Sequence, residues 1–260
     1  MTSPHHGQQP TSLGLPPAVA GCLFDLDGVL TRTASVHATA WTRMFDDFLR
    51  TQVDAGGAPL PPFLPADYDR YVDGRPRLDG TRSFLRSRDI DLPEGSADDP
   101  PGVATVHGLS NAKNALVLRM LAEEGVDVYE GSVRYVRAVR AAGLRSAVVS
   151  SSANAAQVLE AAGIADLFEA RIDGVVAAER GLAGKPAPDT FVAGAEALGL
   201  RPPQAAVFED ALAGVEAGRA GGFGRVVGVD RVGQADQLRA HGADVVVDDL
   251  ADLLADGGRP

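Results

Sequence analysis

Positive charge is scarce in this chain. Its 24 Lys and Arg stand against 35 Asp and Glu, a formal net charge of −11. A surface of that sign repels nucleic-acid phosphates and anionic lipid headgroups, so neither is an expected partner, and a small anionic substrate would need a locally positive site. Cysteine is nearly absent. The single Cys22 can form no internal disulfide, and it sits in an apolar run where a free cysteine packs as a small hydrophobe. Nothing in that usage points to secretion. Long apolar runs are missing too, so no segment reads as spanning a bilayer, and the opening "MTSPHHGQQPTSLGLPP" lacks the basic-then-apolar order of a secretory leader. Aromatic residues make up only 5%, but 45% of the 260 residues are hydrophobic, enough for one large or two modest cores. The expectation is a soluble, cytoplasmic protein with a loose tail over residues 1–17, in which His5 and His6 are solvated.

What is present is an alternation. "AVAGCLFD", "LRSAVVSSS", "AAVFED", "GRVVGVD" and "ADVVVDD" are apolar runs of strand length, and from the middle of the chain onward helical segments such as "NAAQVLEAAG" and "DTFVAGAEALG" separate them. That pattern predicts an α/β fold, a Rossmann-like parallel sheet with helices on both faces. Several runs end in Asp, Glu or Ser: Asp25, Ser150 and Ser151, Glu209 and Asp210, Asp230. In open parallel sheets the ligand crevice lies at the carboxyl ends of the strands, so these residues are expected to converge there.

Residues 34–127 differ. Val36, Ala40, Met44 or Phe45, and Phe48 recur at helical spacing; "NALVLRMLAEEG" is again helical; and the Pro-, Gly- and Asp-rich stretch between them reads as loops around short helices. The division expected is a tail over 1–17, a core made of 18–33 and 128–260, and a helical cap over 34–127 inserted after the first strand.

Four stretches in order, "FDLDGVLT", "VVSSSAN", "GKPAPD" and "VFEDALAGVEAG", resemble the motifs of the haloacid dehalogenase superfamily of phosphatases and phosphomutases. More narrowly, "TASVHATAW", "YVDGRPRLDGTRSFL" and "GLSNAKN" are similar to its β-phosphoglucomutase-like branch. A lone Asp-x-Asp is weak and is most often just a turn. Four ordered motifs reverse that weighting.

The chemistry accounts for the spacing independently. Phosphoryl transfer needs an in-line nucleophile, a divalent metal on the charged oxygens, and positive or N–H donors around the rest. Asp25, at a strand end, is the expected nucleophile, forming an aspartyl phosphate. Asp27 is placed to act as general acid and base, and Gly28 lets the chain turn away. Ser150, Ser151 and Asn154 precede a helix and could cradle phosphate, although serine there is often only a cap. Lys185, in a loop stiffened by Pro186 and Pro188, would neutralise phosphate and Asp25; the plainer reading is a solvated lysine. Glu209 and Asp210, with Asp25 and the backbone carbonyl of Asp27, form an all-oxygen set suited to Mg²⁺, where the plainer reading is an exposed acidic turn.

The remaining assignments are what the mutase-branch resemblance implies. Arg77 would grip the phosphate that does not react, Lys113 and Asn114 would face the sugar, and Thr33 and His37 would lie near the hinge. Surface cations and a packed histidine are the plainer alternatives, and Trp41 is expected in the cap core. Two residues depart from the branch pattern: Arg32 stands where an acid is expected, and Ala153 where the best-known mutases have lysine. The insertion is also longer, around Asp54 to Pro65. The function implied is Mg²⁺-dependent interconversion of β-glucose 1-phosphate and glucose 6-phosphate through a bisphosphate, with a sugar-phosphate phosphatase as runner-up. A non-catalytic phosphosugar-binding module is the third reading. A monomer is expected, with a dimer as the alternative.

Overall fold

The computed structural model describes residues 13–54 and 60–254. It divides into two compact units, one of Thr33–Val126 and the other of the segments on either side. His5 and His6 lie outside the described residues, as does part of the Asp54 to Pro65 stretch.

The chain enters through β1 (Gly21–Phe24), which is buried along its whole length. The helical unit follows. It consists of α1 (Ala34–Asp54), a single turn α2 (Pro65–Asp67) running into a π-turn (Tyr68–Val72), α3 (Arg77–Ser87) and α4 (Val106–Glu124). Its core is aromatic. Phe45 stacks on Trp41 with ring centroids 5.3 Å apart and meets Phe84 at 4.0 Å, while Phe63 closes on both Phe45 and Phe84. Trp41, Met44, Phe45 and Phe48 share one side of α1 by helical periodicity, and Phe84 of α3 and Leu109 of α4 belong to the same cluster, so hydrophobic burial explains why the helices pack. Thr105 caps α4, its side chain accepting from the Gly108 N–H at 2.9 Å.

The rest is a doubly wound sheet. In order come α5 (Glu130–Ala141), β2 (Arg145–Val149), α6 (Ala155–Ala161), β3 (Ala170–Ile172), α7 (Gly174–Arg180), α8 (Asp189–Ala197), β4 (Ala205–Glu209), α9 (Leu212–Ala220), β5 (Arg225–Val229), α10 (Ala235–His241) and β6 (Val245–Val247). The six strands are all parallel, in the order β3-β2-β1-β4-β5-β6. Helices α8 and α9 supply one apolar layer, in which Phe191, Leu198 and Ala217 pack with Leu23, Val149 and Val207. Phe24 stacks on Phe208 at 4.5 Å, with Tyr135 of α5 edge-on to Phe24. Cys22 is fully enclosed, and burial pushes its thiol far up, so it is inert packing.

Two expectations need correction. The sequence gives no sign of β3, because Ala-Arg-Ile is short and carries an arginine; it forms only as an edge strand on β2. The tail is not loose from Leu13 onward. Leu13 and Leu15 are buried, and the Tyr135 hydroxyl donates to the Leu13 carbonyl at 2.8 Å, because two leucines otherwise exposed find apolar cover there.

Candidate active site

Register fixes the site. Phe24 pairs with Val148 on one side and Phe208 on the other, so the next residues along, Asp25, Val149 and Glu209, reach the carboxyl edge of the sheet together. The Asp25 N–H extends the ladder by donating to the Phe208 carbonyl at 3.0 Å. Lys185 arrives from the turn before α8, and its ammonium donates to Asp25 Oδ1 at 2.5 Å, to Glu209 Oε1 at 2.5 Å and to the Val149 carbonyl at 3.3 Å. It also sits 4.8 Å from the Phe191 ring centre. All three charged groups are buried.

The electrostatics follow from that enclosure. Burial alone would lower the Lys185 pKa, but Asp25 and Glu209 outweigh it and push it up, so the ammonium stays charged. Burial pushes the Asp25 carboxyl up; Lys185 pulls against it, and Glu209 and Asp27 add to the rise. Keeping this carboxyl ionised calls for positive charge beyond that of Lys185. Asp25, Glu209 and Asp210 provide the place for it: each offers a carboxylate oxygen, all within 4.8 Å of one another. Glu209 already accepts from Lys185 and, through Oε2, from the Ala211 N–H at 2.8 Å, which aims it and leaves lone pairs over. Three buried carboxylates against the one ammonium bonded to two of them suit a hard divalent cation, and the all-oxygen donor set suits Mg²⁺.

Two glycines make this crowding possible. Gly28 has φ +92°, and a Cβ there would fall inside the Asp210 carboxylate. A Cβ on Gly214, in the first turn of α9, would collide with the Glu209 carboxylate in the same way.

The other predicted residues fall where their elements carry them. Ser150 follows β2, and its Oγ accepts from the Ser152 N–H at 3.1 Å; the Ser152 hydroxyl does the same for Asn154, at 3.2 Å. The serine run therefore shapes its own loop, with Ser151 within it and Asn154 at the start of α6. Asp27 is half-buried and raises the Asp25 pKa, which places it nearby.

Within the helical unit, Lys113 of α4 donates to His37 Nδ1 of α1 at 2.7 Å and lies 4.9 Å from the Trp41 ring centre. An ammonium has no lone pair, so Nδ1 must be the nitrogen without a proton. Thr33 is buried where the unit begins, and its carbonyl accepts from the His37 N–H. Asn114 follows Lys113 on α4. Arg77 opens α3, half-buried; burial lowers its pKa, and its Nε has no hydrogen-bond partner among the described residues.

Asp230, expected at the crevice, is spent on structure. Its carboxylate accepts from the N–H groups of Val232, Gly233, Gln234 and Ala235, closing the turn into α10. Sequence reasoning missed its neighbour Arg231, whose side chain reaches back to the loop after β1. The available signal was an arginine immediately past the end of a parallel strand.

A family model described as haloacid dehalogenase-like hydrolase matches residues 19–222. A chain named beta-phosphoglucomutase from Mycobacterium bovis is 56% identical over 246 residues, covering 93% of this chain and 94% of that one. One of the same name from Bacillus subtilis is 32% identical, covering 89% and 90%. The crystal structure of beta-phosphoglucomutase from Clostridium difficile shares the fold, with a TM-score of 0.71 at 24% identity, covering 90% of this chain and 93% of that one.

Proposed function

Since the chain belongs to the haloacid dehalogenase-like hydrolase family, we propose that it transfers phosphoryl groups through an aspartyl phosphate on Asp25. Its reaction on this reading is that of a β-phosphoglucomutase, from β-glucose 1-phosphate to glucose 6-phosphate by way of glucose 1,6-bisphosphate. The observation behind the chemistry is the buried Lys185 joined to both Asp25 and Glu209, with Asp210 beside them. The support for the substrate is the 56% identity to the Mycobacterium bovis chain over nearly its full length.

An Asp25 carboxylate oxygen attacks phosphorus, and the bond from phosphorus to the sugar oxygen breaks. With the bisphosphate as donor this leaves glucose 6-phosphate; Asp27 gives the proton to that oxygen, and takes one from the 6-hydroxyl of an incoming β-glucose 1-phosphate when the phosphoryl group passes to it, which restores the bisphosphate. Lys185 holds Asp25 in orientation throughout and balances its charge. Mg²⁺ held by Asp25, Glu209, Asp210 and the Asp27 carbonyl would supply the remaining positive charge for the phosphoryl oxygens. Ser150, Ser151 and Asn154 are the candidate donors to the reacting phosphate. Arg77 is the candidate anchor for the other one, with Lys113, Asn114, His37 and Thr33 on the sugar side. A half-buried guanidinium whose Nε lacks a partner among the described residues is a natural counterpart for an anion. We place the enzyme in the cytoplasm as a monomer acting on small phosphosugars; no described helix is long and apolar enough to cross a membrane.

The test supplies β-glucose 1-phosphate, Mg²⁺ and a trace of glucose 1,6-bisphosphate, then compares glucose 6-phosphate with free phosphate. Glucose 6-phosphate in large excess is expected. Free phosphate as the main product would favour a sugar-phosphate phosphatase, the reading that the family's hydrolase description supports. No turnover of either kind would favour a phosphosugar-binding protein.

A further inference from the structure

Arg231 ties together three segments that are remote in sequence. Its Nε donates to the Gly28 carbonyl at 2.7 Å, Nη1 to the Asp248 carbonyl at 2.7 Å, and Nη2 reaches the Val29 carbonyl at 3.5 Å. Its guanidinium carbon stands 3.5 Å from the centre of the Tyr129 ring, at stacking distance. The Arg32 guanidinium lies over the same ring at 4.4 Å. Tyr129 in turn belongs to a short pairing of the two linkers that lead to the helical unit: its N–H donates to the Leu30 carbonyl, Arg32 N–H donates to Asp127, and Thr31 bridges Val128.

The Gly28 peptide connects this arrangement to the carboxylates. Its N–H donates to the Thr31 carbonyl at 2.8 Å and its C=O accepts from Arg231, so both ends of the turn after Asp27 are fixed. The Asp210 carboxylate occupies the space where Gly28 lacks a Cβ. A rotation of that peptide would therefore move the floor on which Asp210 rests. We infer that Arg231 is a positioning residue for the cation site, holding the Gly28 turn against Asp210, and that stacking on Tyr129 keeps its guanidinium flat over that turn.

Lysine cannot substitute, because it has neither the forked donors nor the flat face. The inference rests on Asp25, Glu209 and Asp210 being the metal-binding carboxylates. The two ions Mg²⁺ and Ca²⁺ separate positioning from general support: Mg²⁺ demands near-octahedral geometry, whereas Ca²⁺ accepts irregular sites.

The experiment is calorimetric titration of the full chain and of R231K with each ion, alongside thermal unfolding. Loss of a group that orients metal ligands commonly weakens binding by about ten- to a hundredfold. We expect R231K to bind Mg²⁺ about tenfold more weakly while Ca²⁺ affinity changes less than threefold. Unchanged Mg²⁺ affinity, or equal losses for both ions, would overturn the inference. Should R231K fail to fold, Y129L decides the matter, since it keeps every Arg231 hydrogen bond and removes the ring that Arg231 and Arg32 both face. A roughly threefold loss confined to Mg²⁺ is then expected, and no loss, or equal losses for the two ions, would overturn it. A wild-type chain that binds no Mg²⁺ would reject the metal reading itself, and this inference with it.

Discussion

Replacing Lys185 by Met tests the centre of the site most directly. The substitution preserves length and apolar contact with Phe191 but removes the one ammonium shared by Asp25 and Glu209. Two hydrogen bonds to carboxylates are lost, each worth about 1.5–3 kcal/mol, along with the longer one to the Val149 carbonyl. Independently, removing one partner of a buried ion pair costs about 3–5 kcal/mol, because the other charge stays buried. Both routes lead to a destabilisation of about 4 kcal/mol in the absence of metal.

The loss should depend on pH. Without Lys185, burial, Glu209 and Asp27 all push the Asp25 carboxyl up and nothing named pulls it down. The folded variant then binds a proton that the unfolded chain releases near its ordinary value of 3.8. Stability in such a case falls as pH rises above that value, by about 1.4 kcal/mol per unit until the folded pKa is passed. Urea denaturation in chelator, at pH 5 and pH 8, should therefore show the larger deficit at pH 8. Phosphorylation of Asp25 by acetyl phosphate should fall by about 10²–10³, as for the loss of one preorganised electrostatic contact. A deficit under about 1 kcal/mol at both pH values, or a larger one at pH 5, would refute the argument.

Arg77→Ala should lower glucose 6-phosphate formation about ten- to a hundredfold, from one lost contact of about 1.5–3 kcal/mol. Acetyl phosphate, with no second phosphate to anchor, should lose far less; parallel losses in the two assays would count against the anchor role. Gly28→Ala combines an unfavourable φ with a collision against Asp210. It should cost about 1–3 kcal/mol in urea denaturation and abolish turnover. Asp230 has its pKa lowered: burial raises it, but four backbone N–H groups prevail. Its stabilisation is thus present above its ordinary value of 3.8 and lost as pH falls through the lower folded value. The gap in denaturation midpoint between wild type and Asp230→Ala should be open at pH 7 and should close on acidification toward pH 2; a constant gap would contradict this.

Much of the sheet could be read from the chain because β1, β2, β4 and β5 are apolar runs ending in polar residues, and a parallel sheet buried on both faces demands that pattern. Asp25, Lys185, Glu209 and Asp210 were legible because each lies in a motif whose chemistry makes sense locally. A further signal went unused. The chain contains only two lysines, Lys113 and Lys185, and both are buried. With arginine carrying nearly all the positive charge, the rare ammonium marks positions where a compact donor is needed. The place of Arg231 just past a parallel strand was visible, but its contacts were not, for a physical reason: its acceptors Gly28 and Val29 lie some two hundred residues away, and no local pattern encodes a contact made by tertiary folding. Asp230 was misread because a strand-end carboxylate looks the same in sequence whether it faces a ligand or closes a turn.

The central place of β1 also sets a timetable for synthesis. Gly21 through Phe24 emerge early, yet their neighbours are residues 145–148 and 205–208. At about 5–20 residues per second, the second neighbour follows roughly 10–40 s after the first strand leaves the ribosome. The helical unit is different, because residues 33–126 are continuous and enclose their own aromatic core. It can settle while the chain is still growing, leaving a four-residue apolar strand, Gly-Cys-Leu-Phe, waiting upstream of a finished body. Until residues 145–148 emerge the nascent chain carries one short, unpaired strand, and a translational pause before residue 145 would lengthen its exposure.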